Sequence, residues 1–77
     1  MMMFFQIKRV IIPSTVSIIG TKCFSSCSNL EYIEVPSSVT YIGKDVFKDS
    51  PKVVIYGQAG SYAEKYAKDN NIKFIAE

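Results

Sequence analysis

Ile7-Lys8-Arg9-Val10-Ile11-Ile12-Pro13-Ser14-Thr15-Val16-Ser17-Ile18-Ile19-Gly20 reappears, 23 residues further on, as Leu30-Glu31-Tyr32-Ile33-Glu34-Val35-Pro36-Ser37-Ser38-Val39-Thr40-Tyr41-Ile42-Gly43. Carried through Phe24 and Phe47, the offset makes six of 23 aligned pairs identical and many of the others similar. A fixed period of 20 to 50 residues marks a chain built from one repeated unit, which cannot bury its apolar face alone and must stack on its neighbours. Two units follow, 7–29 and 30–52, with a truncated third beginning at Val53 and running to 59.

Each unit divides in the same way. Ile7, Val10 and Ile12, then Leu30, Ile33 and Val35, end in the period-2 alternation of a half-buried strand, which a proline closes. Pro-Ser-Thr and Pro-Ser-Ser are turn chemistry, because proline presets φ and the hydroxyls bond nearby backbone. Val16, Ile18 and Ile19, and their counterparts Val39, Tyr41 and Ile42, predict a second short extended segment. Gly20 and Gly43 then offer a positive φ or a close backbone approach at the next corner. Phe24 and Phe47, each alone in a polar stretch, are predicted to plug the core from a short turn. Stacking such units gives an α/β solenoid, β-rich, of short strands repeating every 23 residues.

The chain closes differently. Gly60-Ser61-Tyr62-Ala63-Glu64 is a capping box, with Ser61 as N-cap and Glu64 reaching back to the Ser61 amide. A helix over 61–70 follows, whose stripe of Tyr62, Ala63, Tyr66 and Ala67 lies over the open end of the stack. Asn70 and Asn71 suit its end, and Ile72 and Phe74 mark a last strand over 72–75. The whole reads as one domain, 1–77.

The segment Asn29-Leu30-x-x-Ile33-x-Val35-Pro36-x-Ser38-Val39-Thr40-x-Ile42-Gly43-x-x-x-Phe47 resembles the repeat of the BspA-like (Treponema-type) leucine-rich repeat proteins. The likeness spans about residues 7 to 75, and residues 55–67 are similar to the ending of many such arrays. The resemblance implies a leucine-rich-repeat solenoid with a C-terminal capping helix, and a surface or secreted protein that binds protein partners in adhesion. Partner-binding positions would be the outward strand residues Lys8, Arg9, Ile11, Glu31, Tyr32 and Glu34. It also places Cys27 where the repeat often has a buried cysteine and Cys23 where it often has alanine. Both then read as small core hydrophobes, with a disulfide between them, or metal or redox work, as the alternatives. Val46 and Ser50 take those two places in the following unit, so no cysteine ladder continues.

Composition narrows function chiefly by exclusion. The chain of 77 residues has no histidine, which removes Ser-His-Asp, Cys-His and His-ligated metal chemistry. Its seven acids are scattered among lysines, and its glycines form neither a dinucleotide nor a P-loop pattern. No cofactor, no metal and no enzymatic activity are expected. Nine basic residues against seven acidic ones, interleaved, make no stripe that would neutralise a run of phosphates, so no nucleic-acid partner is expected either. At 48% apolar and 21% charged, the chain reads as a soluble globular piece without a membrane-inserting run. Met1 to Phe5 do not match a secretory signal, although the resemblance points to the cell surface. With little more than two units and no polar cap before Ile7, the first unit needs a cover. Met3, Phe4 and Phe5 are the candidates for folding over it or for pairing with a second chain as a homo-oligomer.

Overall fold

The computed structural model describes residues 7–21, 24–25, 27–43 and 45–77. In chain order these form β1 (Arg9–Ile11), β2 (Ile18–Ile19), β3 (Tyr32–Glu34), β4 (Tyr41–Ile42), β5 (Val54–Gly57), α1 (Tyr62–Asp69) and β6 (Lys73–Ala76). Four strands make one all-parallel sheet in the order β1-β3-β5-β6, while β2 and β4 pair in parallel as a second, two-stranded sheet.

The sequence period is the sheet register. Arg9 lies beside Tyr32, Val10 beside Ile33, Ile18 beside Tyr41 and Ile19 beside Ile42, each pair 23 residues apart. The turns repeat with them: the Pro13 carbonyl accepts from Val16 N–H and the Pro36 carbonyl from Val39 N–H, both at 3.1 Å. Hydroxyls add a rung outside the ladders, since Ser38 Oγ donates to the Val16 carbonyl at 2.8 Å. At the next coil the register changes. Ile33 pairs with Ile55 and Glu34 with Tyr56, an offset of 22, so the third coil is one residue shorter than its predecessors. Val53 still fills the place of Leu30 in the core, but one residue separates it from Ile55 where two separate Leu30 from Ile33.

The core runs down the stack through Leu30, Ile33, Val35, Val39, Val46 and Ile55, all with at most 1% of their surface exposed. Their first-coil counterparts Ile7, Val10, Ile12 and Val16 pack against this cluster but are only partly buried. Phe24 and Phe47 stack with ring centres 6.1 Å apart and planes 9° from parallel, so the aromatic plug itself follows the repeat. Cys27 is buried, as a small apolar residue at that place would be, while Cys23 lies outside the described residues. Ser50, standing where unit one has Cys27, is also buried: its hydroxyl accepts from Cys27 N–H at 3.0 Å and donates to the Phe24 carbonyl at 2.8 Å. The polar substitution thus joins two coils rather than leaving an unmet group in the core.

At the glycine corner neither Gly20 nor Gly43 has a positive φ, so close approach is what the position requires. A Cβ on Gly43 would stand 2.7 Å from the Thr21 nitrogen, whereas one on Gly20 would meet nothing within 4 Å among the described residues.

Helix α1 covers the far end of the stack with Ala63 and Ala67, both fully buried, and sets Tyr66 edge-on to Phe47. Ser61 is its N-cap, accepting from Glu64 N–H. Glu64 reaches one residue further back than the capping-box pattern predicts: Oε1 accepts from Gly60 N–H at 2.6 Å, because the Ser61 amide already donates to the Gln58 carbonyl. Asn70 closes the helix with φ −113°, and Asn71 alone takes the left-handed conformation, at φ 58°. The last strand starts one residue later than the alternation suggests, at Lys73, and pairs Ile55 with Phe74 and Tyr56 with Ile75.

Candidate functional site

The outer face of the four-stranded sheet is where side chains are free of packing duty. Alternation turns Val10 and Ile33 inward, so their neighbours Arg9 and Ile11, and Tyr32 and Glu34, turn outward. Parallel register then aligns them across the strands. Arg9 and Tyr32 form one row, and Ile11, Glu34, Tyr56 and Ile75 form a second that crosses all four strands.

The centre of this face is aromatic. The Arg9 guanidinium carbon lies 4.7 Å from the centre of the Tyr32 ring, within cation–π range. Tyr32 and Tyr56 pack with ring centres 4.3 Å apart. The Tyr32 hydroxyl lies 3.4 Å from Glu34 Oε1 and 3.4 Å from Glu77 Oε2, so it can donate to either carboxylate. Partial loss of water raises the Tyr32 pKa, the negative charges of Glu34 and Glu77 raise it further, and Arg9 opposes them. Glu77 is likewise held above the ordinary carboxylate range, first by lost hydration and then by its hydrogen bond to Glu34. Ile11 and Ile75, 61% and 37% exposed, put apolar surface at the two sides of the patch.

Of the positions that sequence reasoning assigned to the face, Arg9, Ile11, Tyr32 and Glu34 come together in these rows. Lys8 and Glu31 are exposed just before strands β1 and β3, where the Lys8 carbonyl accepts from Glu31 N–H. Met3, Phe4 and Phe5 lie outside the described residues. Sequence reasoning missed Tyr56, Ile75 and Glu77. At a constant period of 23, Glu34 maps onto Gly57 rather than onto its true neighbour Tyr56, and only the shortened third coil corrects this. Among the described residues no three of His, Cys, Asp and Glu stand close enough to hold a metal ion, and no helix is long and apolar enough to cross a membrane.

Parallel strands in repeat register, a capped end and an outward face of mixed aromatic, charged and aliphatic side chains define the class: a leucine-rich-repeat module. The family model for the BspA type leucine rich repeat region (6 copies) matches residues 2–67, and the chain belongs to that family. No curated protein and no solved structure matches the chain. Repeats of this family generally mediate protein–protein interaction and are generally not enzymes.

Proposed function

We propose that the chain is a non-enzymatic adhesion module of the cell surface, a short solenoid of units 7–29, 30–52 and 53–59, that binds a protein partner through its strand face. The observation that carries this reading is the row structure of that face: Tyr32, beneath Arg9, packs on Tyr56 of the adjacent row, which Glu34 shares, with exposed isoleucines at its two sides. Tyrosine and arginine are enriched where protein interfaces gain most of their energy, because they bury a large area and keep a polar tip.

Surface plasmon resonance against a panel of immobilised extracellular matrix proteins tests the reading. Binding that Tyr56→Ala and Arg9→Glu each weaken by roughly tenfold, a loss of about 1.4 kcal/mol, supports it. Binding that both variants leave intact moves the site off the strand face. No binding to any member of the panel removes the adhesion reading.

A second reading, self-association through the first coil, is favoured by a separate observation: Ile7, Val10, Ile12 and Val16 stay partly exposed while their second-coil counterparts are sealed. Light scattering on a size-exclusion column over a dilution series distinguishes the two readings. A concentration-dependent dimer supports association, and a mass of 8.6 kDa throughout opposes it.

A further inference from the structure

A second surface lies away from the strand face, where the last turn of the second coil meets the end of α1. Here residues 45–54 and 66–73 enclose an open groove of about 680 Å³. Its floor is apolar, made by Phe47 and Val53, which are nearly sealed, with Ile72 and the ring of Tyr66 beside them. Around it stand Lys48, Lys52 and Lys73, all exposed, and a single acid, Asp45.

Charge gives this groove its direction. The chain carries nine basic and seven acidic residues, and three of the former but only one of the latter line the groove. Among the described residues, four basic residues then stand against six acidic ones elsewhere, so positive charge is concentrated at the groove. None of the three lysines forms an ion pair among the described residues, where Lys65 with Asp69 is the salt bridge present. Three of the last four carbonyls of α1, which would repel an anion, are already taken. Tyr66 O accepts from Asn70 N–H and Nδ2, Ala67 O from Ile72 N–H, and Lys68 O from Asn71 N–H.

We propose that this groove binds an acidic peptide segment of a partner protein, its carboxylates against Lys48, Lys52 and Lys73 and an apolar side chain against Ile72 and the Tyr66 ring, over the nearly sealed Phe47 and Val53. A purely anionic polymer would use the lysines and leave the floor uncovered. A neutral apolar segment would use the floor and leave three ammonium groups around it without partners. The groove is independent of the strand face, since no residue named above as part of that face lines it.

The probe is a fluorescein-labelled ten-residue peptide of glutamates with one central phenylalanine, titrated with the full chain by fluorescence anisotropy. Saturable binding is expected that weakens with salt and falls on the order of tenfold in the triple variant Lys48→Gln, Lys52→Gln, Lys73→Gln, since exposed ion pairs contribute additively in small steps. Replacing the peptide's phenylalanine by glutamine also weakens it, while Arg9→Glu on the strand face leaves it unchanged. All three lysines are exposed, so circular dichroism should show the triple variant folded. The proposal is overturned by a probe that fails to bind at low salt or by equal binding to the triple variant. It is overturned equally if heparin displaces the probe and the phenylalanine proves irrelevant, which would mark the groove as a site for anionic polymers.

Discussion

At the scale of single residues, the 23-residue repeat lets one position be tested against its own copy. Gly43 and Gly20 hold the same place in successive coils, yet an added Cβ strikes the Thr21 backbone at one and, among the described residues, meets open space at the other. Gly43→Ala should therefore destabilise the chain by about 1–3 kcal/mol, because backbone must shift to admit the methyl group. Gly20→Ala should be neutral or stabilise by up to about 1 kcal/mol, because it removes freedom from the unfolded chain. Urea unfolding of the two variants checks the contrast, and equal effects would mean that the corner glycines serve turn geometry instead of packing. Ser50 gives a second comparison. Its hydroxyl is the shared partner of Cys27 N–H and the Phe24 carbonyl, so Ser50→Ala removes two buried hydrogen bonds at once and should cost about 1–3 kcal/mol by the same measurement.

Among the secondary-structure elements, the first two coils were legible because the inward strand residues, the proline turns and the corner glycines recur 23 positions away, and a repeat read from sequence is a register read in advance. The third coil was not. It lacks the proline, and its one-residue contraction between Val53 and Ile55 leaves no gap that a constant period could reveal. Tyr56 and Ile75 consequently stayed invisible as members of the strand face, and Glu77 could be placed only once β6 had been folded onto β5. The helix was legible through its cap, although Glu64 bonds Gly60 because Ser61 N–H is engaged elsewhere, a choice that depends on the preceding turn. Strand β6 also carries a pH dependence. The folded pKa of Glu77 is raised, so its protonated form favours the folded C-terminus; that contribution is complete below the ordinary carboxylate pKa and is lost as pH rises through the raised value. Amide exchange of Phe74 and Ile75 should accordingly gain protection at acidic pH beyond what intrinsic exchange chemistry explains. Glu34→Gln should lower the Glu77 titration seen by NMR and flatten the trend, and an unchanged titration would detach Glu77 from Glu34.

For the molecule as a whole, the two ends of the stack differ in kind. One is closed by α1, which buries Ala63 and Ala67 completely and bonds Tyr66 OH to the Gly43 carbonyl at 3.4 Å. At the other, the first coil's inward residues remain partly exposed, and the Gly20 corner is clear among the described residues. In stacked repeats stability is close to a sum of unit terms and nearest-neighbour interfaces, and among the described residues the first coil lacks one interface that the second has. Inserting a second copy of residues 30–52 between Gln6 and Ile7 should supply it. The extended chain should unfold at higher urea with a larger denaturant dependence, because more surface is buried per molecule. The decisive reading is the coupling to Gly20. Once a coil lies against that corner, Gly20→Ala should change from harmless to destabilising and approach the effect of Gly43→Ala in the parent. If Gly20→Ala stays harmless while stability rises, the inserted coil folds without docking, and the first coil is not a socket for another repeat.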